Sequence, residues 1–368
     1  MANKKSETFN EIYTSNGSWI NSFKNKAIIE NAKTVIVIQD CYQALKLALT
    51  KKVIYITFDK DKCEFFNTRI LINPLFGGDD KGFFVPFNVE NREAIIENIL
   101  KEEGFNENMK ADLIIGNPPY EGNGLLYLKI LKAVKKFSKE IIWLCPTKWC
   151  DIITTQYNLE NECRNYNYES IIDVGNPFEG IAIDNVAIFH ITENGKISGD
   201  DLWLRKVKNK ELTKKIIEKL DKFESIFSKS LCSGHPRDKK ELSKSHPFWV
   251  GVPGYYNNSR TDFDNTKYTL FKRVDNICSK KHNKDFYLHW WFKTENEAKN
   301  FTITCNSIIF KFGISFCKKN DGWNKLYQKF VPYLNDYTHP WSDKEICNEL
   351  GITKEEYNYI CDEMKPYM

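Results

Sequence analysis

The sequence predicts an α/β protein, with a doubly wound, mostly parallel sheet in its first half and a smaller mixed α+β domain after it. Three observations carry that expectation. Short β-branched runs alternate with helical stretches between residues 34 and 191. Each run ends in a polar or conformationally special residue, as strands that feed a ligand crevice do. Near Asn194-Gly195 the alternation stops, and the charge balance changes with it. We therefore expect domains over residues 1–199 and 200–368.

The elements follow in order. TVIVI (34–38) reads as a strand ending at Gln39-Asp40, and residues 42–49 place Ala44, Leu45, Leu47 and Leu49 in a helix. VIYITF (53–58) is a second strand ending at Asp59, and ADLII (111–115) a third ending at Gly116-Asn117. Residues 124–137 space Leu125, Leu128, Leu131 and Val134 for one buried helical face. IIWL (141–144) is a fourth strand ending at Cys145-Pro146, with two more expected at 170–174 and 185–191. In a sheet of this kind Asp40, Asp59, Asn117 and Pro146 converge on one crevice. The glycine-containing stretch 75–81 reads as a surface turn. Beyond it, a charged helix is expected near 208–227 and strand-like runs at 301–304 and 307–312. Ser342 to Glu345 and Thr353 to Glu356 are capping boxes that open two closing helices.

Composition excludes several classes. The 368 residues are 42% hydrophobic and 14% aromatic, which excludes a disordered chain. No apolar run approaches the ~18–20 residues of a membrane span. The start, Met1-Ala-Asn-Lys-Lys-Ser, leads into polar sequence, so no signal peptide and a cytoplasmic location are expected. Eleven scattered cysteines without C-x-x-C spacing point to buried thiols rather than disulfides or zinc. Six dispersed histidines provide no metal motif.

Charge is uneven. Residues 1–199 carry net −3, residues 200–330 net +12 and residues 331–368 net −5. The basic block interleaves Trp249, Tyr255, Tyr256, Trp290, Trp291 and Trp323, the pattern of a nucleic-acid face. Arg237, Arg260, Lys272, Arg273 and Lys311 are its candidate DNA-binding residues.

Asn117-Pro118-Pro119-Tyr120, directly after ADLIIG, is the sharpest feature. The exocyclic nitrogen of adenine is a weak nucleophile because its lone pair is delocalised into the ring. Hydrogen bonds accepted from both of its N–H groups favour a more tetrahedral, nucleophilic nitrogen. The Asn117 side-chain oxygen and the Pro118 carbonyl can be those acceptors. The two prolines remove competing N–H donors and fix φ. Tyr120 offers a flat face to an extruded base.

On these residues the sequence resembles the N6-adenine DNA methyltransferases of the γ arrangement, in which a cofactor half precedes NPPY and a target-recognition domain follows. The resemblance implies a Rossmann-like methyltransferase sheet, S-adenosylmethionine as cofactor, double-stranded DNA as partner and catalysis by Asn117, Pro118, Pro119 and Tyr120. Phe9-Asn-Glu-Ile-Tyr-Thr14 resembles the amino-terminal cofactor segment, which implies cofactor contacts from Tyr13 and Thr14. Asp40, Asp59 and Asn117 join them, with Asp59 on the ribose. Cys145-Pro-Thr-Lys-Trp149 resembles the family's Pro-Ser-x-Trp strand end. Asn176 to Ile183 resembles the late motif whose Phe, here Phe178, stacks on the flipped base. Segments 292–301 and 331–345 resemble the carboxyl-terminal half of type II and phage-type members.

One departure stands out. The family's glycine-rich loop after the first strand corresponds to Asp40-Cys-Tyr-Gln-Ala-Leu45, which has no glycine. Three classes therefore stay open at this point: an active adenine methyltransferase with a divergent cofactor loop, a DNA-binding pseudo-methyltransferase or incomplete subunit, and a methyltransferase acting on an RNA amine or a glutamine side chain. A partner subunit or a restriction nuclease is an open expectation beside double-stranded DNA.

Overall fold

The computed structural model describes residues 18–76, 79–120, 125–147, 149–150, 158–175, 186–221, 232–233, 245–246, 248–253, 272–274, 286–305, 307–317, 334 and 336–365. The chain divides into two compact units, one of residues 1–147 and 157–200, the other of residues 148–156 and 201–368.

The first unit opens with a short 3-10 turn and helix α1 (Lys26–Asn31). Strand β1 (Thr34–Ile38) leads to α2 (Cys41–Ala48), β2 (Lys52–Thr57) to α3 (Lys60–Ile72), and β3 (Lys81–Phe84) to α4 (Arg92–Glu102). Then come β4 (Ala111–Gly116), α5 (Leu126–Val134), β5 (Ser138–Pro146), α6 (Asn158–Arg164), β6 (Asn167–Gly175), β7 (Val186–Thr192) and β8 (Ile197–Ser198). The eight strands form one sheet in the order β3-β2-β1-β4-β5-β7-β6-β8. The first five run parallel, and β7 is antiparallel to both β5 and β6. This is the expected α/β class, a Rossmann-like sheet whose 3-2-1-4-5 half is doubly wound.

The runs that predicted the strands are apolar because helices cover both faces. Val35 to Ile38, Val53 to Ile56 and Leu113 to Ile115 are all 0% exposed, so no polar alternation survives in them. Strand β3 and helices α3 and α4 were not expected. β3 lies at the sheet edge and is at best half-buried, which leaves KGFF without a strand-like pattern. The stretch 75–81 is not wholly a surface turn. Asp80 within it is buried, and its carboxylate accepts from the Val53 N–H at 2.7 Å, with burial holding its pKa above the usual carboxylate range.

The second unit contains α7 (Lys210–Asp221), β9 (Cys232–Ser233), β10 (Phe248–Pro253), β11 (Lys272–Val274) and β12 (Phe286–Phe292). It continues with α8 (Glu295–Cys305), α9 (Ile308–Cys317), α10 (Asp343–Leu350) and α11 (Lys354–Met364). Its strands form an antiparallel sheet in the order β11-β10-β12-β9. Phe292, Phe301, Ile309, Phe312, Ile346 and Ile360 share its apolar core.

Two expected strands are helices instead. Thr294 accepts from the Glu297 N–H through its hydroxyl at 3.1 Å, while the Glu297 carboxylate accepts from the Thr294 N–H at 2.9 Å. That reciprocal cap starts α8 and carries the β-branched run 301–304 into it, with Ala298, Phe301 and Cys305 on the buried side. Ser307 accepts from the Phe310 N–H at 3.3 Å and does the same for α9. Local capping and burial outweigh β propensity there.

Both predicted capping boxes are present, at Ser342/Glu345 and Thr353/Glu356, and Gly351 ends α10 at φ 65°. Thr353→Ala removes an acceptor for the Glu356 N–H. We expect it to destabilise the second unit by about 1 kcal/mol in thermal denaturation.

Candidate active site

The tips of β2, β1, β4 and β5 are neighbours, and the predicted residues stand on them. The Asn117 N–H donates to the Ile38 carbonyl at 3.1 Å, and the Gln39 N–H donates to the Ile56 carbonyl at 2.8 Å. These bonds extend the ladder one residue past each strand, so the tips end level.

The β4 tip is packed tightly from below. Gly116 pairs with Ile38 on one side and Trp143 on the other. A Cβ on Gly116 would lie 2.1 Å from Cζ3 of the fully buried Trp143. The glycine before Asn117 is therefore required by the close approach of an indole ring.

Asn117 is 5% exposed, and both prolines after it are buried. The Tyr120 hydroxyl is 3.1 Å from the Asn117 side-chain oxygen and 3.4 Å from the Leu144 carbonyl. The Tyr120 ring meets Tyr127 edge-on, with centroids 5.9 Å apart. A carboxamide oxygen has two lone pairs, so a bond from the Tyr120 hydroxyl leaves one for a substrate N–H. The arrangement can hold two acceptors, Asn117 Oδ1 and the Pro118 carbonyl, at the end of a rigid strand.

Asp40 and Asp59 cap helices. Asp40 is 0% exposed; its carboxylate accepts from Trp19 Nε1 at 2.9 Å and, as N-cap of α2, from the Gln43 N–H at 3.0 Å. Burial outweighs these bonds and holds its pKa above the usual carboxylate range. Asp59 accepts from the Lys62 N–H at 3.1 Å and lies 3.5 Å from the Lys62 ammonium, with its side chain 27% exposed. Both capping patterns, Asp40-x-x-Gln43 and Asp59-x-x-Lys62, stand in the sequence.

The glycine-rich loop of the methyltransferases that the sequence resembles has no counterpart between β1 and α2. Only Gln39 and Asp40 separate β1 from α2. For S-adenosylmethionine, the β2 side fits, because Asp59 is partly open and buried Gln39 Nε2 has no acceptor among the described residues. At the β1 turn, Asp40 is turned inward. The residues present thus suit the nucleoside end of that molecule.

Sequence reasoning missed Gln39, Phe58 and the tip of β3. Phe58 meets Phe87 edge-on at 6.2 Å, and Phe87 borders a cavity of about 510 Å³ with Asn88, Asn91, Arg92, Leu126 and Lys129. A signal existed, since the 53 residues between β2 and β4 are too many for a structureless connection.

Tyr13, Thr14, Phe178, Arg237 and Arg260 lie outside the described residues. Lys272 and Arg273 are consecutive on β11, paired with Gly251 and Val250. Lys311 is half-buried on α9, and burial lowers its pKa. Among the described residues no helix is long and apolar enough to cross a membrane.

No protein-family model matches the chain, and no curated protein matches it. Solved structures do. TrmN from Thermus thermophilus matches at 14% identity and a TM-score of 0.30, over 45% of this chain and 47% of that one. A putative RNA methyltransferase from Pyrococcus horikoshii matches at 14% identity and a TM-score of 0.28, over 51% and 81%. TrmK from M. capricolum, in complex with S-adenosylhomocysteine, matches at 11% identity and a TM-score of 0.31, over 54% and 84%. The chain thus spans about half the length of the first of these.

Proposed function

We propose that the chain is an S-adenosylmethionine-dependent methyltransferase that methylates N6 of a flipped adenine in double-stranded DNA. The observation that carries this reading is Asn117-Pro118-Pro119-Tyr120 at the tip of β4, level with the tips of β1 and β2, with the Asn117 amide oxygen fixed against the Tyr120 hydroxyl.

S-adenosylmethionine, when bound, supplies an electrophilic methyl group. Asp59 holds its ribose, and the other expected contacts come from Tyr13, Thr14 and Asn117, while Asp40, turned inward onto Trp19 and Gln43, fixes the turn beside them. The protein's part in the reaction is orientation. Asn117 Oδ1 and the Pro118 carbonyl accept from the two N–H groups of the amine and turn its lone pair outward. Tyr120 holds the Asn117 amide, and Tyr120 and Phe178 grip the ring of the extruded base. Cationic residues of the 200–330 segment dock on phosphates. No side chain has to form a covalent intermediate.

A second reading has its own observation. The inward-turned Asp40 carboxylate and the absent glycine loop favour a subunit whose cofactor site is completed by a partner. Transfer of labelled methyl to duplex DNA or to RNA, followed by nucleoside analysis, separates the readings. N6-methyladenine from duplex DNA supports the first, and a product from RNA alone transfers it to an RNA amine. Absence of product with DNA and RNA favours the incomplete subunit.

Tyr120→Phe tests the role given to the hydroxyl. Losing one hydrogen bond of about 1 kcal/mol predicts about a fivefold lower kcat, with KM for DNA little changed. Steady-state kinetics read both.

A further inference from the structure

Gln39 stands where β1 turns into α2, with φ at 66°. That left-handed conformation favours glycine, yet a long polar residue occupies it and is 1% exposed. Its side chain ties β1 to β2: Oε1 accepts from the Phe58 N–H at 2.8 Å and from the Thr57 hydroxyl at 3.2 Å. The Thr57 oxygen in turn accepts from the Asp59 N–H at 3.1 Å. Because the Phe58 N–H can only donate, the atom facing it is oxygen, and the orientation of the amide is fixed. The NH2 end is therefore the end left over. It is buried and meets no acceptor among the described residues. A buried donor without an acceptor costs free energy, and a ligand oxygen beside it would remove that cost.

We propose that Gln39 is a binding residue for the nucleoside cofactor, its side-chain N–H donating to a ribose hydroxyl oxygen while Asp59 accepts from the same diol. This rests on the methyltransferase reading above. A vicinal diol presents both O–H donors and oxygen lone pairs, and a carboxylate such as Asp59 can only accept. Gln39 supplies a donor, and its amide connects through Thr57 to the backbone of Asp59. In this account the glycine-free turn is built around a side chain that reads the ribose.

The test uses the full chain and two variants. Gln39→Glu keeps an oxygen toward Phe58 and Thr57 and replaces the donor with an acceptor. Gln39→Gly accepts the left-handed backbone and removes the amide, so the test survives if the buried carboxylate of the first variant prevents folding. Thermal unfolding without ligand first establishes that a variant is folded. Calorimetry then measures S-adenosylhomocysteine and its 2′-deoxy and 3′-deoxy counterparts. The wild type is expected to lose about tenfold in affinity for one of the deoxy compounds, the worth of a buried hydrogen bond. A folded variant is expected to bind S-adenosylhomocysteine about tenfold more weakly and to lose nothing further with that deoxy compound. A folded variant that binds as tightly as the wild type, or that still discriminates tenfold, overturns the role of Gln39 and leaves the methyltransferase reading in place. Absence of binding by the wild type to all three compounds overturns that reading and this inference together.

Discussion

Asn117→Ala is expected to lower methyl transfer to DNA by about 10³-fold, with affinity for DNA unchanged within a few-fold. The size follows from the task assigned to the amide. A preorganised polar group that acts on the developing charge of a reaction is worth about 10²–10³ in rate, and Asn117 also holds half of the acceptor pair. On the proposed reading, ground-state binding of DNA rests on phosphate contacts of the 200–330 segment, so KM for DNA moves little. The substitution also leaves the strand intact, because the bond from Asn117 to Ile38 uses the backbone N–H. Single-turnover kinetics with labelled cofactor, beside a DNA-binding titration, separate the two effects. An undiminished rate would remove Asn117 from the mechanism.

Gly116→Ala is expected to destabilise the first unit by about 3 kcal/mol, at the upper end of the usual cost of overpacking. The added Cβ falls 2.1 Å from Cζ3 and 2.2 Å from Cε3 of Trp143, both parts of a rigid ring with 0% exposure. Neither neighbour can yield cheaply: Gly116 is hydrogen-bonded between β1 and β5, and Trp143 stands within β5. For a unit of this size the shift in Tm is about 6–12 °C. Trp143→Leu combined with Gly116→Ala should recover part of the loss, because the smaller side chain vacates the ring's position. A double-mutant cycle by thermal denaturation measures that coupling. Activity should fall with stability, since Asn117 is the next residue.

The parts of the fold that were legible in the sequence share one physical property. β1, β2, β4 and β5 are covered on both faces, so their burial writes continuous Val and Ile runs into the chain. Edge and surface elements carry no such imprint. β3 is half-exposed, and α3 buries only Cys63 and Phe66 among 13 residues. The strand-like runs at 301–304 and 307–312 failed for a different reason: the caps at Thr294 and Ser307 precede them and decide their conformation.

The candidate site divides in the same way. The place of Asn117 to Tyr120 was legible because they directly follow the buried run ADLIIG, so they stand at the tip of β4. The inward turn of Asp40 was not read, although Asp40-x-x-Gln43 is a helix-cap spacing, because its second partner is Trp19, 21 residues away. Gln39 was invisible to sequence reasoning. Its importance arises from a positive φ and from bonds to Thr57 and Phe58 on the neighbouring strand, and neither has a local sequence signature.

A glycine-free turn, with Gln39 and Asp59 beside the NPPY tip, is expected to seat S-adenosylmethionine. Calorimetric titration of the purified chain with that molecule, with and without duplex DNA, tests it most directly. One-to-one binding is expected, with a Kd of about micromolar order, or about −8 kcal/mol. No heat of binding in either condition would contradict it.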